Sequence, residues 1–373
     1  MTRRELCVGL NMISGLGYGR YLTLLDIFGT PDNIRRADRL RLEKIEGVGR
    51  VLAERIVEFD WDSELSREFA IAQRGSVQII TIEDSDYPEA LRRLFDPPLC
   101  LYVRGTLPEN FERWIAVVGS RRISRYGAAM TESIAAGATA NNYGVISGLA
   151  AGVDTIAHRT VVNNGGVTIG VLGGGLMHLY PPENIPLARE IIKLGGAVIS
   201  EFPLDYPISR HNFPRRNRIV AMLCNAVVVV EAGLDSGALI TAQLASDLGR
   251  DVFAVPGRAD NQQARGCNKL IREGAFLVES FDDVLFTLES GLHPIAVAAE
   301  RGEVGDCSDL APDEKLVYSY LLENEADLEE LQEKSGIDSG TLLAILMKLE
   351  MKLLIERDAG QYYRVVIKKN DVR

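Results

Sequence analysis

The chain has no cysteine pair at C-x-x-C spacing: Cys7, Cys100, Cys224, Cys267 and Cys307 lie far apart in its 373 residues. That excludes a zinc ribbon, a dithiol redox motif and a disulfide framework, and leaves scattered reduced thiols. Nor does any apolar run approach the roughly 18 residues of a membrane span. Met1-Thr2-Arg3-Arg4 leads into a short mixed helix rather than a signal sequence, so a cytoplasmic protein without membrane contact is expected. Two nucleotide fingerprints are missing as well. There is no G-x-x-x-x-G-K-[ST], and Gly119-Ser120-Arg121-Arg122 stands where a dinucleotide fold would have G-x-G-x-x-G. Neither a Walker-type nucleotide nor NAD is supported, and no cofactor is expected.

What is present is the composition of a soluble globular chain, 46% hydrophobic and 25% charged, long enough for two or three domains. Its formal charge of −11 argues against a phosphate polymer as partner, but the distribution overrules the sum. Trp114 to Ser280 holds 15 Lys/Arg against 13 Asp/Glu, a local balance of +2 that leaves −13 for the rest. Within it, Arg113 to Thr131 and Tyr206 to Val230 contain no acid and four arginines each.

Residues 1–75 read as helical, with Gly15-Leu16-Gly17 and Gly47-Val48-Gly49 each preceding an apolar run at helical spacing. The second resembles a helix-hairpin-helix, whose glycines let backbone amides approach a phosphate, although Glu43 and Glu46 beside it favour a tight interhelical turn in a protein-interaction bundle. From Val77 the pattern changes to short β-branched runs alternating with helices, which predicts a parallel sheet over residues 76–290. The clearest strands are Ile115 to Val118, Gly144 to Ile146, Thr168 to Leu172, Ala197 to Ile199, Ala226 to Val230, Val252 to Val255 and Ala275 to Val278. A polar linker, 291–309, separates this domain from a tail, 310–373, that reads as three helices and a hairpin, the plan of a winged helix. The tail holds 9 Lys/Arg against 13 Asp/Glu, and its third helix has only Lys348 as a basic group, so an accessory or protein-contact role is expected there.

In an open parallel sheet, ligands bind outside the carboxyl ends of the strands. Both acid-free windows follow strands. One carries Gly119, Ser120, Arg121, Arg122, Ser124, Arg125 and Gly127; the other carries Phe213, Arg215, Arg216, Asn217 and Arg218. Small residues after other strands, Ser147, Gly148, Gly173-Gly174-Gly175, Ser236, Gly237 and Pro256-Gly257, join this rim and offer amides to anionic oxygens, while arginine forks bind phosphate. Asp154, Glu201, Glu231 and Asp235 come singly, which does not suit a metal nuclease; no metal site and no catalytic group is expected, and His158 reads as a packed helix residue. An arginine-rich rim with Phe213 and Tyr126 to stack suits a flexible single strand of nucleic acid. A second surface is the segment containing Leu270, Ile271, Phe276 and Val278, a short helix and edge strand with more apolar surface than one sheet edge buries.

These residues stand in a recognisable order: Gly119-Ser120-Arg121-Arg122, then Ser124 and Gly127, Ser147-Gly148-Leu149-Ala150, Gly152-Val153-Asp154, Tyr180-Pro181, Ser200-Glu201, Phe213-Pro214, Arg216-Asn217-Arg218, Ser236-Gly237-Ala238-Leu239-Ile240-Thr241-Ala242 and Val255-Pro256-Gly257. From about Trp114 to Phe281 this resembles the DNA-processing protein A (DprA/Smf) family. Ala151 departs from it, standing where the family usually has arginine, and removes one cation from the rim. The resemblance implies an α/β fold: an extended Rossmann-like, mostly parallel sheet core with an N-terminal helical (helix-hairpin-helix/SAM-like) domain and a C-terminal winged helix. It further implies a non-enzymatic protein that binds single-stranded DNA, forms a homodimer through the Leu270 to Val278 segment, and loads RecA recombinase during natural transformation. Two other classes stay open: a Rossmann-type enzyme acting on nucleotides, for which Gly233-Leu234-Asp235-Ser236-Gly237 lacks the P-G-G-x-G-T-x-x-E element, and an adaptor whose acidic ends recruit partners.

Overall fold

The computed structural model describes residues 1–290, 311–323, 328–335, 337–352, 354–357 and 363–365. The expected linker, 291–309, and the turn of the expected tail hairpin, 358–360, lie outside the described residues, as does Cys307. The chain divides into two compact units, Met1–Pro294 and Ile295–Arg373.

The first unit opens with six helices between Arg3 and Arg74. Their starts follow local chemistry: Thr2 and Glu5 form a reciprocal cap, and Thr30, Asp38 and Asp60 cap three later helices through their side-chain oxygens. Gly47 and Gly49 take φ of 78° and 56°, a turn that side chains resist, and this hairpin leads into the helix Gly49–Glu58.

Nine strands follow: β1 Gln78–Thr81, β2 Cys100–Gly105, β3 Trp114–Val118, β4 Gly144–Ser147, β5 Thr168–Val171, β6 Ala197–Ser200, β7 Ala226–Val229, β8 Asp251–Ala254 and β9 Phe276–Leu277. They form one sheet in the order β1-β2-β6-β5-β4-β3-β7-β8-β9. Pairing is parallel from β6 across to β9, while β2 runs antiparallel to both β1 and β6. The sheet is the mostly parallel one expected; β2 is an addition to the strands legible in the sequence. Period-two alternation gives each central strand two buried faces. Ala116, Val118, Val227 and Val229 point to one hydrophobic cluster, and Ile115, Val117, Val228 and Val230 to the other.

The first of these clusters runs unbroken from Leu6 to Cys267, so the N-terminal helices and the sheet share one core. Polar contacts reinforce the junction. Asn11 donates to the Glu201 carbonyl at 3.0 Å, and the Glu68 carboxylate accepts from the Leu204 amide at 2.8 Å. Both grip the loop after β6, which carries the second arginine window.

At the far edge of the sheet, β9 pairs with β8 alone. Here the expected outward apolar set is corrected. Val278 is fully buried, Phe276 stacks on Phe253 with ring centroids 4.9 Å apart, and Leu270 packs against the core. The side chain facing outward is Leu277, half exposed; with Pro256, Leu234 and Ile271, which itself packs partly on the core, it lines a shallow groove. The alternation of a strand explains this: once Phe276 and Val278 turn inward, Leu277 must turn out.

The second unit contains the helices Pro312–Glu323, Leu328–Ser335 and Ser339–Met351 and an antiparallel pair, β10 Ile355–Arg357 and β11 Tyr363–Val365. Its core joins Val317, Leu321, Leu331, Leu342, Leu346 and Tyr363. Lys348 and Lys352 both turn toward Glu314, at 3.8 and 2.8 Å, so the basic group of the third helix has an acid as neighbour.

Candidate nucleic-acid interface

The chain runs from β3 to β4, β5 and β6 on one side, then crosses back to place β7 on the other side of β3. This is a topological switch point, where the loops leaving β3 and β7 part and open a crevice at the carboxyl edge. An open cleft of about 590 Å³ lies there. Gly119, Ser120 and Arg121 line it from β3, Gly148 and Asp154 from β4, and Ser236 and Gly237 from β7; Phe213, Arg216 and Asn217 form another wall.

Arg216 is the buried cation of that wall, only 6% exposed. Its guanidinium donates to the Val171 carbonyl and, at 3.0 Å, to the Asn217 side-chain oxygen. Asn217 in turn donates to the Gly237 carbonyl at 3.5 Å, tying Arg216 to the helix Gly237–Asp247. Burial lowers the Arg216 pKa to about 10, which leaves it charged at neutral pH. Gly148 is required beside it, because a Cβ there would collide with the guanidinium. Asp154 accepts from the Gly148 and Ala150 amides at 3.0 and 3.3 Å and so shapes the loop after β4; burial pushes its pKa up, against the pull of Arg216. Leu149, buried with φ of 55°, completes this turn by packing on Gly170.

The other expected site residues divide into two groups. Arg121 lies over the Phe213 ring at 4.7 Å, so the face expected to stack on a base already carries a guanidinium. Arg122 and Arg125 are exposed, and neither makes an ion pair among the described residues. Arg215 and Arg218 are different, because both bind the same oxygen of buried Glu201, at 3.1 and 2.5 Å. Arg218 also donates to the Asp96 carbonyl and is only 14% exposed at its side chain, against 47% for Arg215.

Three expected contacts serve the scaffold instead. Ser147 is fully buried and donates to the Val117 carbonyl at 2.6 Å. Ser124 caps the helix Arg125–Ala140 through the Gly127 amide and donates to Glu231 at 2.8 Å, and Gly127 leaves room for that carboxylate. Gly173-Gly174-Gly175 is also closed off, buried beneath Phe213, Ile208 and Leu204. Tyr126 is half exposed but stands apart from Phe213, its hydroxyl donating to the Pro256 carbonyl at 3.0 Å.

Sequence reasoning put Pro256-Gly257 on this rim but missed Gln263 and Arg265 on the wall that follows β8. Gln263 lies close enough to accept from the Ser120 hydroxyl at 3.3 Å, and Arg265 lines the cleft, exposed and without an ion pair among the described residues. The available signal was Pro256-Gly257, which ends a strand on this same edge. Among the described residues, no group of three His, Cys, Asp or Glu could hold a metal ion, and no helix is long and apolar enough to cross a membrane.

His158 is fully buried in the helix Val153–Asn163. The Thr168 hydroxyl donates to the Val145 carbonyl at 2.6 Å, so it accepts from His158 Nδ1 at 2.7 Å, which fixes the neutral tautomer. Burial pushes its pKa down to about 3. Between that value and the ordinary one near 6.5, the unfolded chain binds a proton that the folded chain refuses. Stability is therefore fully present above about pH 6.5 and falls as the pH drops, by about 1.4 kcal/mol per unit. Urea unfolding at pH 6.5 and 5 should show a loss of about 2 kcal/mol from this group. His158→Asn should remove that part of the slope; an unchanged slope would sink the assignment.

Comparison with known proteins agrees with this architecture. Residues 78–289 match the family described as DNA recombination-mediator protein A, residues 9–59 match a SAM-like helix-hairpin-helix tandem, and residues 306–361 match the DprA winged helix domain. The chain is 37% identical to Protein Smf of Escherichia coli over 77% of each chain. It is 42% identical to DNA processing protein DprA of Streptococcus pneumoniae over 64% of this chain and 82% of that one. The X-ray structure of DprA from Streptococcus pneumoniae superposes with a TM-score of 0.62 at 34% identity, covering 76% of this chain and 97% of that one. A structure of DNA processing protein A from Helicobacter pylori, described for its single-stranded DNA binding mode, covers 58% of this chain and 98% of that one, with a TM-score of 0.51 at 30% identity. A nine-stranded core of this topology, bearing helical and winged-helix domains that match in the same order, places the chain in the DNA-processing protein A (DprA/Smf) family.

Proposed function

We infer that this chain binds single-stranded DNA along the switch-point cleft and acts without catalysis, as a recombination mediator that protects an incoming strand and loads RecA during natural transformation. The observation that carries the DNA reading is a set of five exposed arginines, Arg121, Arg122, Arg125, Arg210 and Arg265, on the loops and helix starts that follow β3, β6 and β8, none of them paired with a carboxylate among the described residues. Such cations are free to exchange their counterions for phosphates. The Helicobacter pylori relative described for single-stranded DNA binding supports the same ligand here. RecA loading and transformation rest on family membership.

Self-association belongs to the same proposal. The open edge of β9, with Leu277 outward and the partly exposed Ile271 beside it, offers a second copy an apolar strip, and two clefts on one dimer would act as a bivalent site on a long strand. Sedimentation as a monomer at micromolar concentration would remove this part.

The central test is a titration of a labelled oligonucleotide at several salt concentrations. Single strands give a log-log slope of about −0.7 per phosphate neutralised, so four or five arginine contacts should give about −3. Duplex should bind less well, because its bases are not free to splay onto an aromatic face. A slope near zero, or turnover of nucleotides, would overturn the reading.

A further inference from the structure

We propose that Phe95, outside the cleft, is a stacking platform for a base of the single strand, reached along the exposed face of the helix Asn212–Met222; this rests on the single-stranded DNA reading above. Phe95 is fully exposed, although phenylalanine is among the residues most often buried. The segment that carries it is held on both sides. Leu94, Pro97 and Pro98 are buried, and the Tyr87 hydroxyl donates to the Pro98 carbonyl at 2.8 Å. The Asp96 carboxylate accepts from the Tyr18 amide at 3.1 Å, and the Asp96 carbonyl accepts from Arg218. A ring presented to solvent on so fixed a segment is a preformed contact, because little ordering entropy remains to be lost when a flat partner settles on it.

What leads to the ring selects the partner. Arg215 and Arg218, three residues apart, share one face of the helix Asn212–Met222, and Arg210 and His211 are exposed at its start. Arg210 is one of the unpaired cations of the loop after β6, and Arg218 ends the stripe against the Phe95 segment. No acid occurs between Tyr206 and Val230. The carboxylate beside Arg215 and Arg218, that of Glu201, is buried and shared between them, so it offers no open negative charge to a passing phosphate.

A strand that leaves the cleft past Arg210 therefore meets cations along this face and an open aromatic ring at its end. That pairing of a basic track with an aromatic face holds single strands whatever their sequence, since every base has a flat face to stack. A partner protein would find less. The exposed neighbours of Phe95 in the chain are Arg93 and Asp96, which set charge beside the ring where the core of a protein interface is depleted of it.

The experiment compares the full chain's affinity for two oligothymidylates, one of about six nucleotides that the cleft alone can hold and one of about twenty that extends beyond it. Phe95→Ala should bind the short strand as wild type does and the long strand about tenfold more weakly. On a fully abasic long strand, which keeps the phosphates, the same variant should match wild type. Phe95→Trp should hold the long strand as wild type does, and the emission of its exposed indole should be quenched by the long strand but not by the short one. A Phe95→Ala variant that binds the long strand as tightly as wild type overturns the platform while sparing the cleft, and leaves the ring to a protein partner. An equal loss on short and long strands, or an unquenched indole, overturns it too. If wild type binds neither strand at low salt, the cleft reading fails and the platform fails with it.

Discussion

Replacing Arg121 and Arg122 together with alanine should lower single-stranded DNA affinity by about 100-fold at low salt, or about 2.7 kcal/mol. Each guanidinium to phosphate contact contributes roughly 1.5–3 kcal/mol, so two of them set the scale even if their effects overlap. The two arginines follow β3 at the switch point, are exposed, and have no carboxylate to release before they bind DNA. Losing two phosphate contacts should also flatten the salt slope by about 1.4. The loss should be uniform across sequences, because phosphate contacts position a strand without reading it. Neither side chain supports the fold through an ion pair, so thermal stability should stay within about 0.5 kcal/mol of wild type. A variant that binds within threefold of wild type, with its salt slope intact, would move the phosphate site away from this loop.

A change at Glu201 should do the opposite. Glu201→Ala is expected to cost about 3–5 kcal/mol of unfolding free energy, measured by urea titration at neutral pH, while leaving DNA affinity undiminished. The carboxylate is fully buried, and one of its oxygens holds Arg215 and Arg218 together. Removing it strands Arg218, mostly buried, with the Asp96 and Arg215 carbonyls to accept from it and no carboxylate to balance its charge. Arg215, half exposed, returns to solvent and adds a cation to the rim, so its contribution to the stability loss is small. Adding Arg218→Met to Glu201→Ala should recover part of the loss, because the uncompensated buried charge is then gone. A single-variant cost below about 1 kcal/mol would mean that solvent reaches Arg218 more freely than its packing implies.

Glu201 also shows where sequence reasoning stops. The window Tyr206 to Val230 contains no acid, and from the sequence its four arginines look equally free. The acid that engages two of them lies just outside the window, at the end of β6, and reaches them because the following segment folds back into the helix Asn212–Met222. Burial of Arg216 likewise depends on Gly148 at the end of β4, and the cover on Phe213 depends on Arg121 at the end of β3. The strand β2 escaped notice for a related reason. Cys100-Leu101-Tyr102-Val103 is a short apolar run without alternation, and only antiparallel pairing with β1 and β6 fixes it as a strand.

The sequence by itself determined the local matters: which segments become strands, through β-branched runs such as Val227-Val228-Val229; where helices begin, through capping residues such as Ser124 and Ser236; and which loops carry arginine after a strand. Each depends on residues a few positions apart, whose preferences act before the chain folds. The tertiary structure alone decided which arginines face solvent and which meet a buried carboxylate. It also decided that Ser147 and Val278 turn inward, and that the walls following β3, β4, β7 and β8 enclose one cleft. Those outcomes depend on strand order and on partners more than a hundred residues away, where charge, volume and hydrogen-bonding capacity are settled by what the crossing connections bring together.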